Sequence, residues 1–229
     1  MHRELDCASE GVREVSAHAL RYRGKRLRAA ASLLTARALT PTPEKVGNGA
    51  ARLPEPQIKI AAIVEMIHMA TLVHDDVLDH ADVRRRVPTV NSRHGNEVAV
   101  LLGDWIYARA FCISTRLTDQ TCSRILSEVT ATICRGEIEQ SKAKYDFDLD
   151  PERYLSIIDA KTASLYQAAC ELGARYALEP PVPGKLVSAA AQYGRNLGLA
   201  FQIVDDCLTT TAARTWSESR SEPTWPRER

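Results

Sequence analysis

Apolar residues recur at intervals of three and four along most of the chain. Val12, Val15, Ala19 and Tyr22 follow this spacing, as do Ile60, Ile63, Val64, Ile67, Ala70, Thr71 and Leu78. Such spacing lines one side of an α-helix, whereas the period-two alternation of a half-buried strand is almost absent. Breakers fall between the periodic runs: Pro41 to Pro43 with Gly47 and Gly49, then Pro54 and Pro56, Pro88, and Pro180 to Gly184. The pattern predicts helices over 3–21, 24–38, 57–82, 95–117, 121–144, 151–178 and 185–208, an all-α architecture without internal repeats. Asp146 to Pro151 reads as a corner between two of them.

Periodicity stops near residue 208. Beyond it a polar stretch carries Trp216 and Trp225, two of the three tryptophans, with no apolar face for either to complete. The expected organisation is therefore a helical domain over 1–208 and an irregular, disordered tail over 209–229.

Composition narrows the class. At 229 residues and 45% hydrophobic content the chain can bury a sizeable core. Thirty basic residues against 29 acidic ones leave a net charge of +1, which argues against a nucleic-acid partner. Cys7, Cys112, Cys122, Cys134, Cys170 and Cys207 form no CxxC pair, and are expected to be buried free thiols in a reducing compartment. The first residues lack an apolar signal core and no apolar run reaches the length of a membrane span, so a soluble cytoplasmic protein is expected.

Charge is concentrated locally. His74-Asp75-Asp76-Val77-Leu78-Asp79 precedes Arg84-Arg85-Arg86, three carboxylates and three cations in one short stretch. On a helix, Asp75 and Asp79 stand one turn apart with Asp76 beside them, so the three are expected to converge. Like charges so placed favour a hard cation such as Mg2+, which takes carboxylate oxygens and keeps water or phosphate oxygens as its other ligands. Lys25 and Arg28 in Gly24-Lys25-Arg26-Leu27-Arg28 can share one side of a helix start, where backbone N–H groups also favour an anion.

Asp75 to Arg85 resembles the DDxxDxxxxRR motif of the trans-isoprenyl diphosphate synthases. Gly24 to Arg28 is similar to the GKRLRP segment of that family, with Ala29 in place of proline, and Gly136 to Gln140 and Lys161-Thr162-Ala163 resemble its mid-chain motifs. Phe201 to Thr209 is similar to FQxxDDxxD, with Thr209 in place of the last aspartate. The resemblance covers roughly residues 15–208 and implies an antiparallel bundle of the isoprenoid synthase type, missing its C-terminal helices.

By that resemblance the reaction joins isopentenyl diphosphate to an allylic diphosphate, farnesyl or geranylgeranyl, with Mg2+ assisting departure of diphosphate. Asp75, Asp76, Asp79 and Asp205 would hold the metal; Lys25, Arg28, His68, Arg84, Arg85 and Gln202 would bind substrate, and Lys161 and Thr162 would sit over the leaving group. Asp75, Asp76 and Asp79 are also catalytic candidates, and Asp206 would face the first cluster beside Asp205. Arg86 stands where glycine is common and receives no role. Ala70 and Thr71, a turn before Asp75, would line the groove for the growing tail, and their small size implies a long-chain product such as a quinone side chain. The family implies a homodimer. The competing reading is a non-catalytic relative or a partner subunit of such a synthase; a His-Asp phosphohydrolase leaves Lys25, Arg28 and the arginine run unexplained.

Overall fold

The computed structural model of the chain describes residues 5, 9–22, 24–40, 44–45, 51–146, 148–177 and 182–221. Its helices are α1 (Glu10–Ala19), α2 (Leu27–Leu39), α3 (Glu55–Leu78), α4 (Val90–His94), α5 (Asn96–Ser114), α6 (Thr121–Ala143), α7 (Pro151–Ile158), a π turn (Asp159–Ala163), α8 (Ser164–Arg175) and α9 (Gly184–Ser221). Two antiparallel pairs, β1–β2 (Glu44–Lys45 with Ala51–Arg52) and β3–β4 (Val83–Arg84 with Val87–Pro88), lie between helices. Strands of two residues are too short to leave an alternating pattern in the sequence.

α3 is the central helix. Ile60, Ile63, Val64, Met66, Ile67, Ala70 and Val73 are fully buried in one core with Ile106, Ile113, Leu126, Leu165 and Leu172 from its neighbours. With a mean hydropathy of 1.3 it is long and apolar enough to cross a membrane, yet 56% of that stretch is packed inside the protein. α3 packs on α5 and α2, and α8 lies between α2 and α9. α7 starts at Pro151, where the Asp150 carboxylate accepts the Arg153 N–H at 2.8 Å.

Several boundaries differ from the sequence reading. Residues 3–4 and 6–8 of the expected first helix lie outside the described residues. α2 starts at Leu27 because Arg26 takes a left-handed φ of 50°. α3 ends at Leu78 rather than 82, closed off by His80 at φ 51°. The helix expected over 95–117 is preceded by the short α4, capped by Thr89, whose hydroxyl accepts the Ser92 N–H at 3.3 Å. The single helix expected over 151–178 contains the π turn. α9 continues past 208 to Ser221 in place of an irregular tail: the Thr209, Thr210 and Thr211 hydroxyls donate to carbonyls four residues back, so the polar run keeps the helix geometry. Residues 222–229 lie outside the described residues.

The cysteines divide. Cys122 and Cys170 are buried as expected, but Cys112 is partly exposed, and Cys134 and Cys207 lie on outward helix faces; all five are unpaired. Cys7 lies outside the described residues.

Candidate functional site

The three aspartates of the acidic cluster do not converge. Consecutive helical positions are turned by about 100°, so Asp75 and Asp76 cannot share a face. Asp75 lines a cleft of about 300 Å3. Asp76 points the other way, 1% exposed, and accepts from Arg84 Nε at 2.7 Å. Burial raises its pKa, partly offset by Arg84 and by a hydrogen bond from Tyr22. The Tyr22 hydroxyl also accepts the Val90 N–H at 2.7 Å, tying the segment after α1 to the start of α4. Asp79 caps α3, is exposed, and is not among the cleft-lining residues.

The arginine run forms the hairpin turn between β3 and β4. Arg84 pairs with Val87, leaving Arg85 and Arg86 as its two loop residues, at φ 51° and 67°. Both left-handed positions match the primed turn that suits two-residue hairpins. The turn aims Arg84 and Arg85 at the cleft, while Arg86 does not line it. Arg86→Gly removes the steric cost of a left-handed β-carbon and is expected to raise unfolding free energy by about 0.5–1 kcal/mol. A denaturant midpoint that is unchanged or lower would contradict that strain.

Beside Arg85, whose guanidinium lies against Gly24, the segment leading into α2 presents Lys25 and Arg26, and its first turn presents Arg28. Lys25 precedes the helix, so it and Arg28 reach the cleft from different backbone conformations rather than from one helical face. Arg28 Nη1 donates to His68 Nε2 at 3.1 Å, and its guanidinium carbon lies 4.6 Å from the centre of the Tyr166 ring. Burial pulls the Arg28 pKa down. His68 is held well below its ordinary pKa, first by burial and then by Arg28, Arg85 and Arg84. It is therefore neutral, with Nε2 accepting and the ring proton on Nδ1. Glu65, one turn before His68, accepts the Ala29 N–H at 3.0 Å and so caps α2 from outside.

The π turn brings up Lys161 and Thr162. An i→i+5 turn inserts one extra residue into a helix and commonly marks a functional position. Here it is wedged between two glycines: a β-carbon on Gly136 of α6 would lie 2.8 Å from the Lys161 nitrogen, and one on Gly198 of α9 would lie 2.6 Å from Ala163 Cα. Asp159 clamps the turn to α9 through Arg195, by two hydrogen bonds of 2.8 and 3.0 Å. Thr162 donates to Gln202 Oε1 at 2.8 Å, Gln202 donates to Asp206 at 2.9 Å, and Tyr154 donates to the other Asp206 oxygen at 2.7 Å. Asp206 is thereby engaged with α7, and Asp205 is the aspartate of the pair that lines the cleft. Lys161 is paired with Glu137 of α6, and its Nζ lies 3.7 Å from Asp75. Burial pushes the Asp75 pKa up to about 7, opposed by Lys161 and reinforced by Glu137 and Asp79.

One cleft thus collects Lys25, Arg28, His68, Thr71, Asp75, Arg84, Arg85, Lys161, Thr162, Gln202 and Asp205. Asp76, Asp79 and Ala70 stay outside it. Ala70 is fully buried in the core, because α3 turns that position inward. Tyr22, Glu65, Glu137, Tyr166 and Phe201 also line the cleft; none of them received a site role from sequence, though Glu137 and Phe201 lie within its motifs. Glu65 had a signal, its three-residue spacing from His68; Glu137 and Tyr166 depend on how α6 and α8 dock.

The donor chemistry fits a hard divalent cation. Asp75 and Asp205 contribute carboxylates from two helices, and the Asp75 pKa is raised first by burial and then by Glu137 and Asp79, against the pull of Lys161. Among the described residues no three Asp, Glu, His or Cys side chains are grouped to hold an ion. A metal here would therefore complete its shell with water or phosphate oxygens.

Residues 9–216 match the polyprenyl synthetase family model. The chain is 38% identical over 198 residues to heptaprenyl diphosphate synthase component 2 of Geobacillus stearothermophilus, covering 86% of this chain and 58% of that protein. It is 39% identical over 189 residues to the octaprenyl diphosphate synthase of Escherichia coli, covering 82% of this chain and 54% of that one. The fold matches a decaprenyl diphosphate synthase of Rhodobacter capsulatus with a TM-score of 0.80 at 36% identity, over 90% of this chain and 60% of that one. It also matches a polyprenyl synthase of Caulobacter crescentus, complexed with calcium and isoprenyl diphosphate, with a TM-score of 0.81 at 35% identity over 90% of this chain and 59% of that one. The chain spans little more than half the length of these relatives.

Proposed function

The chain belongs to the polyprenyl synthetase family, and on that premise we propose that its cleft binds an allylic diphosphate and isopentenyl diphosphate and joins them into a long-chain polyprenyl diphosphate. One observation carries this reading: motifs spread from Lys25 to Asp205 meet in a single cleft in which Lys25, Arg28, Arg84, Arg85 and Lys161 surround Asp75 and Asp205. An arrangement of fixed cations and metal-binding carboxylates suits two diphosphates better than any neutral ligand.

Arg28, Lys25 and Arg85 supply donors for isopentenyl diphosphate, and neutral His68 accepts from Arg28 so that the guanidinium stays oriented. Arg84, fixed by Asp76, faces the allylic diphosphate. Lys161 stands where negative charge grows as the carbon–oxygen bond breaks, and Thr162 and Gln202 hold the π turn that presents it. Mg2+, which Asp75 and Asp205 would hold, would neutralise the departing diphosphate when bound. The isopentenyl double bond attacks the allylic cation, which leaves the charge on the neighbouring tertiary carbon; loss of a proton from the carbon next to it re-forms a double bond, and released diphosphate is a sufficient base. Thr71 is small, and its hydroxyl donates to the His68 carbonyl at 2.7 Å, which leaves less uncompensated polarity beside an apolar tail. A homodimer and a cytoplasmic location belong to the same proposal.

The test is to incubate the chain with farnesyl diphosphate, labelled isopentenyl diphosphate and Mg2+, then extract and size labelled lipid. Products several isoprene units longer than the primer are expected. Soluble, folded chain that extends nothing would favour a second reading, a non-catalytic or partner subunit. One observation supports that alternative: α2 and α9 form an apolar groove of about 520 Å3 in which Leu34 and Tyr193 are 69% and 62% exposed, a surface suited to another polypeptide segment.

A further inference from the structure

Lys161 has two carboxylates within reach and does not divide itself equally between them. Its ammonium is in close contact with Glu137 Oε1, while Asp75 Oδ2 lies 3.7 Å away, beyond hydrogen-bond distance. All three side chains are largely withdrawn from solvent, at 27% exposure for Lys161, 21% for Glu137 and 14% for Asp75. The preference has a structural cause. Gly136 lets α6 approach until its Cα faces the backbone nitrogen of Lys161, which places the next residue, Glu137, beside the lysine side chain. Thr162 and Asp159 lock the π turn to α9 on the other side, so Lys161 cannot retreat from α6.

We infer that Glu137 is a positioning residue that draws the Lys161 ammonium off Asp75, keeping Asp75 oxygens open to a divalent cation and releasing Lys161 to a diphosphate only by exchange. This rests on the reading of the cleft as a diphosphate site. Without Glu137, Asp75 becomes the nearest acidic partner, and the lysine closes onto it. A cation then meets an occupied carboxylate and a less negative cleft. A bare diphosphate meets the reverse: one repelling charge fewer, and a lysine with one carboxylate partner where it had two. The two ligands must therefore respond in opposite directions, which loss of structure alone cannot produce.

The experiment is calorimetric titration of the full chain with Mg2+ alone and with inorganic pyrophosphate in the absence of metal, for wild type, Glu137→Gln and Glu139→Gln. Glu139 makes the same charge change on the exposed side of α6 and serves as the control. Glu137→Gln is expected to weaken Mg2+ and tighten metal-free pyrophosphate, each by about three- to tenfold as for one charge at close range, with Glu139→Gln unchanged for both. Should the glutamine variant melt well below wild type, Glu137→Ala is expected to give the same opposed shifts. Both affinities falling together, neither moving, or Glu139→Gln matching Glu137→Gln overturns the inference while leaving the diphosphate reading intact. Wild-type chain that binds neither probe overturns both.

Discussion

Replacing Tyr166 by alanine is expected to lower unfolding free energy by about 3–5 kcal/mol, the usual cost of truncating a large buried aromatic. Tyr166 is 1% exposed, and its ring lies under the Arg28 guanidinium and 5.9 Å from the Phe201 ring. The backbone of α9 comes so near at Gly194 that a β-carbon there would lie 2.9 Å from the Tyr166 carbonyl carbon. The ring therefore joins α2, α8 and α9, and little can collapse to fill its place. Phenylalanine should behave in the opposite way. Among the described residues the buried Tyr166 hydroxyl has no hydrogen-bond partner, so Tyr166→Phe removes an unmet polar group and is expected to be neutral or stabilising by up to about 1 kcal/mol. Denaturant unfolding of the two variants decides it: a phenylalanine variant as unstable as the alanine one would mean that the hydroxyl, not the ring, holds the three helices.

The second large effect is on chemistry. Lys161→Met is expected to lower prenyl transfer on the order of 100- to 1,000-fold, the range found when one preorganised donor to developing negative charge is removed. Methionine keeps the length of the side chain and the packing of the π turn, so the fall should appear in kcat with the melting temperature changed little. A loss confined to KM would assign the lysine to ground-state binding instead.

The helices were legible because their apolar spacing is read directly by the core: Ile60, Ile63, Val64 and Ile67 recur at helical intervals and are all fully buried. What periodicity could not show was where a single residue leaves helical backbone. Arg26, His80, Arg85 and Arg86 take left-handed φ values without being glycine, so nothing in their chemistry announces the start of α2, the end of α3 or the hairpin turn. Charge and spacing pointed to Asp75, to Lys25 and Arg28 and to the arginine run, and the family resemblance added His68, Lys161 and Asp205; Lys25, Arg28, His68, Asp75, Arg84, Arg85, Lys161 and Asp205 all line the cleft. Asp76 was misplaced because adjacent helical positions are turned by about 100°, and its partner Arg84 becomes a neighbour only through the hairpin. Ala70 was misplaced by the same rotation. Glu137 fell within a recognised motif without a role, and Tyr166 stayed silent, because a side chain's place in a cleft formed by five helices depends on docking angles, which no local pattern encodes.

The π turn also bears on how this chain can vary by descent. From Pro151 to Arg175 the backbone is helical without a break, and Asp159–Ala163 holds one residue more than an α-helix would need. Losing one residue there would leave an ordinary helix of good propensity, yet rotate α7 against α8 by about 100° and carry Lys161 away from α3 and α6. In a surface loop the loss of one residue is commonly absorbed. Here the count of residues, more than their identity, preserves the cleft, so drift by substitution is open to this segment while drift in length is closed.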